Sequence, residues 1–143
     1  MTQSILITTP ELDFPGPYII YVNKAFEKMT GWSREEILGK NPRFLQGPNT
    51  ERSIFVNLRN VLSKGEVWEG QTINYKKDGT QFYMEWSITP VFDKNGVTRQ
   101  LLAVQNDITK NVAVKNELEK SRNRELKRIE EIEQANIELN ALA

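Results

Sequence analysis

Gln81-Phe82-Tyr83-Met84-Glu85-Trp86-Ser87-Ile88-Thr89-Pro90-Val91-Phe92 decides the architecture. Phe82, Met84, Trp86 and Ile88 fall on one face of an extended chain, and Tyr83, Glu85, Ser87 and Thr89 on the other. That period of two marks a strand with one buried face. Lys77-Asp78-Gly79 precedes it and Asp93-Lys94-Asn95-Gly96 follows. Asp-Gly and Asn-Gly between strand-like runs are hairpin signals, because both residues tolerate the backbone that tight turns need. The pattern therefore predicts an antiparallel meander of Val67 to Lys76, Gln81 to Phe92 and Thr98 to Ile108. On the last strand Leu101, Ala103 and Gln105 share a face, which sets one amide among small or apolar neighbours. The opposite face carries Leu102, Val104 and, beyond it, Ile108, so both faces are expected to be covered.

Towards the N-terminus, Ser4 to Thr8 and Tyr18 to Val22 read as two further strands, joined through Pro10, Pro15, Gly16 and Pro17. Ala25 to Met29 predicts a short helix ending at Gly31. Ser33 with Glu36 forms a capping box for another, closed by Gly39. Ile54, Leu58, Val61 and Leu62 recur at helical spacing and predict one longer helix, capped by Asn49 or Thr50 and stopped by Gly65. The fold class is α+β: a five-stranded antiparallel sheet with short helices on one face, enclosing one pocket.

The chain has 143 residues, with 19 lysines and arginines balanced by 19 aspartates and glutamates. A chain-wide basic field for nucleic acid is excluded. Cysteine and histidine are absent. Disulfides, thiolate nucleophiles, thiolate or imidazole metal sites and Ser-His catalysis go with them. No nucleophile, base or metal cluster stands out, so no catalytic residue and no metal ligand is assigned, and no enzyme activity is expected of this segment. Apolar runs such as Tyr18 to Val22 are too short to span a membrane, and no signal peptide is read at the start. A cytoplasmic location is expected.

The run Gly39-Lys40-Asn41-Pro42-Arg43-Phe44-Leu45-Gln46-Gly47-Pro48 resembles the LOV (light, oxygen, voltage) branch of PAS sensory domains. The LOV signature there is Gly-x-Asn-Cys-Arg-Phe-Leu-Gln, and Pro42 stands at the photoreactive cysteine. The resemblance continues through Asn23, Phe26, Thr30-Gly31, Thr50, Arg59, Asn74, Asp78-Gly79, Gln105 and Asp107-Ile108-Thr109, over residues 4 to 109. It implies a non-covalently bound flavin mononucleotide (FMN), with flavin adenine dinucleotide (FAD) or riboflavin less favoured because two arginines suit one phosphate. Carried over by position, Arg43 and Arg59 would hold that phosphate. Asn41 and Gln46 would bond the ribityl chain, and Asn74 and Gln105 the polar edge of the ring. Thr8, Leu45, Leu58, Trp86, Ile88, Leu101 and Ala103 would line the apolar part.

Two departures alter the expected chemistry. Pro42 has no nucleophile, so no cysteinyl adduct can form, although proline suits the start of a short helix. Met84 stands where the family has a second asparagine, and the lost hydrogen bond costs about 0.5–1.5 kcal/mol. Trp86, expected beside the ring, would then serve as an electron donor for flavin photoreduction. A proton taken up at the flavin N5 would make the Gln105 amide rotate. Taken singly, the same residues have plainer readings: Trp86, Phe82, Met84 and Ile88 as core, Arg43 and Arg59 as surface ion-pair partners, Gln105 as a satisfied buried amide. Two alternatives therefore stand beside a blue-light or redox sensor. One is a flavin-free PAS module for dimerisation or a small ligand. The other is an engineered fluorescent or photosensitising flavoprotein, against which the quenching indole of Trp86 argues. Sequence alone does not separate a natural Pro42 from an engineered one.

Composition changes near Asp107: every proline, glycine and aromatic residue precedes it. Two segments follow, 1–109 as the LOV-like domain and 110–143 as a helical linker. Ile129, Ile132, Asn136, Leu139 and Ala143 follow coiled-coil spacing, and Leu118 fits the same frame. Arg122, Glu125 and Leu126 interrupt it. A solvated single helix is the plainer reading at this length. The expected partners are a second copy, joined through this helix and the outer sheet face, and a covalently linked effector such as a histidine kinase or nucleotide cyclase. Glutamates interleave Arg122, Arg124, Lys127 and Arg128, so nucleic acid is not an expected partner, and neither is a membrane.

Overall fold

The computed structural model describes residues 3–142. Five strands form one antiparallel sheet: β1 (Ser4–Thr8), β2 (Ile19–Val22), β3 (Trp68–Tyr75), β4 (Gln81–Phe92) and β5 (Thr98–Asp107). Their order is β2-β1-β5-β4-β3, which puts β5 at the centre. Among the described residues the helices are α1 (Lys24–Thr30), α2 (Arg34–Ile37), α3 (Leu58–Ser63) and α4 (Thr109–Ala141), with 3-10 turns at Pro42–Leu45 and Arg52–Phe55. This is the α+β architecture expected from the sequence. β1 and β4 fall where the alternation places them, while Tyr18, Val67, Lys76 and Ile108 lie just outside their strands.

Register decides what faces the helices. Across β4 and β5, Trp86 stands opposite Gln105 and Ile88 opposite Ala103. Across β3 and β4, Thr72 stands opposite Met84 and Asn74 opposite Phe82. Ser4, Leu6 and Thr8 of β1 complete the buried face. Its other side carries Ile5, Ile7, Leu102 and Val104, all half-buried.

The turns follow their side chains. Asp93 accepts bonds from the Asn95 and Val97 backbone N–H groups at 2.8 and 3.0 Å, and Gly96 takes a φ of 78°. Asn23 caps α1 through Phe26 N–H and also accepts from Ile5 N–H at 2.9 Å, tying the helix to β1. Gly31, at φ 80°, ends α1 by donating to the Glu27 carbonyl at 2.8 Å.

The single helix expected up to Gly65 is instead two pieces. Thr50 Oγ1 donates to the Ile73 carbonyl at 2.6 Å and Glu51 N–H donates to Thr72 Oγ1 at 2.7 Å. Those bonds hold the chain against β3 where a helix would have used its own backbone. Phe55 stacks on Trp68 with ring centres 5.4 Å apart, and Asn57 leaves helical geometry to accept the Trp68 indole N–H at 3.2 Å. Tertiary contacts outweigh helix periodicity here. α3 begins only at Leu58 and stops at Gly65 (φ 74°).

The chain divides into two units between Thr109 and Lys110. Taken by itself, α4 is one continuous helix of 33 residues without a buried side chain. Leu118, Ile129, Ile132 and Leu139 are all exposed on it. Ala143, the last position of the expected seam, lies outside the described residues. No helix among those described is long and apolar enough to cross a membrane.

Candidate cofactor pocket

Between the buried sheet face and the short helices lies a cavity of about 550 Å³. That volume suits a cofactor-sized ligand. Thr8, Asn41, Pro42, Arg43, Leu45, Gln46, Leu58, Arg59, Asn74, Trp86, Ile88, Leu101, Ala103 and Gln105 all line it. The fold thus gathers every residue that the resemblance assigns to a cofactor around one space. Leu6, Leu12, Pro17, Arg52, Phe55, Val56 and Met84 line it as well. The sequence reading passes over Arg52, whose signal was its place between the two other arginines. Leu12 and Pro17 carry no such signal, because only the folded β1–β2 loop brings them there.

The polar groups deep in the wall are few. Asn74 is 3 % exposed, and its Oδ1 has no hydrogen-bond partner among the described residues. Its Nδ2 reaches only the Met84 sulfur, at 3.7 Å. Gln105, equally buried, accepts a bond from Ser4 Oγ at 3.3 Å through Oε1. Unpaired buried acceptors are rare, and each one calls for an explanation. Here two amides converge on a mostly apolar space, and one of them lacks a donor. That arrangement suits a ligand whose rim both donates and accepts hydrogen bonds.

The rim is different. Arg43, Arg52 and Arg59 are exposed. Arg59 Nη2 pairs with Asp13 Oδ1 at 2.6 Å, and Arg43 Nη2 reaches the Leu12 carbonyl at 3.5 Å. The plainer sequence reading has both arginines as surface ion-pair partners; here Arg59 meets a carboxylate and Arg43 a backbone carbonyl, both on the β1–β2 loop. Asn41 is also engaged. Its Nδ2 donates to the Pro15 and Gly16 carbonyls at 3.1 and 2.8 Å, and its Oδ1 caps the following turn at Arg43 N–H. Pro42 opens that 3-10 turn, with Asn41 extended (φ −80°, ψ 134°) as a residue before proline should be. Near the loop, a bond from Thr9 lowers the Glu11 carboxyl below its usual range. The walls also carry an aromatic cluster, in which Trp86 lies 5.3 Å from Trp68 and 5.8 Å from Phe55.

The PAS-domain family matches residues 2–110. A solved light-oxygen-voltage domain, described with a flavin analogue, shares 33% identity at a TM-score of 0.70, covering 85% of this chain and 88% of that one. The chain belongs to the PAS family, in its LOV branch. A blue-light-activated histidine kinase of Brucella anthropi is 39% identical over 118 residues, which are 82% of this chain and 24% of that protein. Phototropin-2 of Oryza sativa subsp. japonica is 37% identical over 96 residues, 67% of this chain and 11% of that protein. The chain therefore spans about a quarter or less of these curated relatives, and corresponds to a sensory module within them.

Proposed function

We propose that this LOV domain binds FMN in the cavity and senses blue light or redox state without forming a cysteinyl adduct. The observation that carries the reading is Asn74 Oδ1, buried and unpaired in an apolar wall beside a second amide. Asn74 and Gln105 would hold the polar edge of the ring, between them accepting from its N–H and donating to its carbonyls. Thr8, Leu45, Leu58, Trp86, Ile88, Leu101 and Ala103 would enclose its apolar part. Gln46 and the remaining lone pair of Asn41 Oδ1 would bond the ribityl hydroxyls. Arg43 and Arg59, joined by Arg52, would bind the phosphate, with Asp13 giving up Arg59 as the anion arrives. The bound flavin supplies blue-light absorption and accepts one electron when excited.

The rest is done by the chain. Pro42, at the family's cysteine position, offers no nucleophile. Trp86 lines the cavity and is the electron source. Among the described residues the Gln105 side chain is tied only through Oε1 to the Ser4 hydroxyl, so its amide can turn over when the proton demand opposite it changes. Turning it changes the strain on β5, whose other face carries Leu102 and Val104. A coupling of about 1–3 kcal/mol suffices for a signal. That signal would pass to α4, whose exposed seam suits a second copy and whose continuation would reach a linked cytoplasmic effector, such as a histidine kinase.

The test is the visible spectrum of the purified protein, before and after refolding with FMN. A vibrationally structured flavin band that bleaches under blue light with a mild reductant, and without adduct absorption, supports the reading. No band with FMN or riboflavin sinks it and leaves a flavin-free dimerisation or small-ligand module.

A further inference from the structure

Trp86 forms part of the cavity wall but is 6 % exposed, with no acceptor for its indole N–H among the described residues. Its neighbour Trp68 lies edge to face against it, ring centres 5.3 Å apart. Trp68 does have an acceptor: its Nε1–H donates to Asn57 Oδ1 at 3.2 Å, and Asn57 is exposed. Three residues thus run in contact from the cavity to solvent.

The local sequence builds this arrangement. Trp68 and Gly70 share one face of β3, and Gly70 stands opposite Trp86 in the register. A Cβ on Gly70 would collide with the far edge of the Trp68 ring. The glycine gives up its own packing so that the Trp68 indole can lie along the strand towards Trp86, as aromatic residues cover strand glycines elsewhere. Phe55 stacks on Trp68 and tilts against Trp86.

We infer that Trp68 is a second redox residue, which takes the oxidising charge from Trp86 and holds it on the indole that Asn57 hydrogen-bonds beside the surface. The inference rests on the flavin reading above. Each step moves one electron. Trp86 gives one to the light-excited ligand, Trp68 gives one to Trp86, and a soluble reductant of the thiol or ascorbate class gives one to Trp68. No covalent bond breaks, and neither indole needs to lose its proton. The direction follows from the hydrogen bonding: a positive charge on Trp68 is stabilised through its N–H by the side-chain carbonyl of the exposed Asn57. The function gained is persistence, because the charge leaves the cavity before it can return to the ligand.

The experiment uses the FMN-loaded protein under steady blue light with dithiothreitol, reading flavin fluorescence, bleaching rate and tryptophan-radical lifetime by transient absorption. Trp86→Phe should raise the fluorescence, since the first donor is gone. Trp68→Phe should leave fluorescence at the parent level yet slow bleaching about tenfold, the factor set by about 1.4 kcal/mol of extra stabilisation on Trp68. Asn57→Leu, at an exposed site that keeps both indoles, should slow bleaching by a smaller factor and shorten the radical lifetime. It also serves if Trp68→Phe does not fold. Parent-level bleaching and radical lifetime in these variants would overturn the relay while leaving flavin binding intact. Unchanged fluorescence in Trp86→Phe would overturn the donor and the relay together. Failure of the parent protein to take up flavin would overturn the underlying reading, and is seen separately in the first spectrum.

Discussion

The wall and the rim of the cavity treat polar groups in opposite ways. In the wall, Asn74 and Gln105 are almost fully buried, and one acceptor is left without a donor. On the rim, Arg59 and Asp13 are 64% and 87% exposed and paired with each other at 2.6 Å. The short distance is the weaker evidence. An exposed ion pair contributes about 0–1 kcal/mol and is readily exchanged for water or another anion. An orphaned buried carbonyl costs about 1–3 kcal/mol, so its persistence marks a place where something else binds. The wall is expected to set whether a ligand binds, and the rim which ligand.

The largest expected effect is at Asn74. Asn74→Leu removes the orphan, so the ligand-free protein should gain up to about 1–3 kcal/mol in a urea titration. The same change should weaken FMN by about tenfold to a hundredfold, read by fluorescence titration. Opposite signs distinguish a ligand-directed group from a structural one. A loss in both measurements would place Asn74 among ordinary core amides and break the comparison at its strongest point.

Met84 sharpens it next. Met84 fills the wall at 2 % exposure and offers Asn74 Nδ2 only a weak sulfur acceptor. Met84→Asn should tighten FMN by about 0.5–1.5 kcal/mol and destabilise the ligand-free fold, since a second amide is then buried without a partner. Unchanged affinity would show that the ligand edge does not reach this position.

The rim should respond differently. Asp13→Asn removes the competitor for Arg59. Folding stability should change by less than about 1 kcal/mol. FMN should bind more tightly and with a steeper salt dependence, while riboflavin, which has no phosphate, should bind as before. Equal gains for FMN and riboflavin would mean that the loop acts by closing the cavity, with no part in charge recognition.

What the sequence made legible follows the same division. β1 and β4 were readable to the residue because alternation and turn residues are local, and Asp93 makes its bonds within four positions. The break between the 3-10 turn at Arg52–Phe55 and α3 was not, because Thr50, Glu51 and Asn57 bond to β3, and Phe55 stacks on it. For the pocket, alternation alone placed Trp86, Ile88, Ala103 and Gln105 inward. Resemblance was needed to add Arg43, Asn41 and Gln46, whose turn has no periodicity. Neither signal gave the Asp13–Arg59 pair or the orphaned Asn74 oxygen, since both depend on contacts distant in sequence.

The smallest expected effect tests the rule about exposed pairs away from the cavity. Glu36 caps α2 by accepting Ser33 N–H at 3.1 Å, and it pairs with Lys77 Nζ at 2.6 Å. The Lys77 bond, then the Ser33 bond, lowers its carboxyl from 4.5 to about 2. A carboxylate held below its unfolded value stabilises the fold above that value. The contribution is therefore complete above about pH 4.5 and is lost as the pH falls towards 2. Lys77→Met should return the Glu36 titration, followed by NMR, part of the way towards 4.5, with the Ser33 bond keeping the remainder. The urea midpoint at neutral pH should barely move, because solvent screens an exposed pair. A large fall in that midpoint would mean that exposed pairs do hold this fold, and the Asp13–Arg59 bridge on the rim would then have to be weighed as structure before it is weighed as recognition.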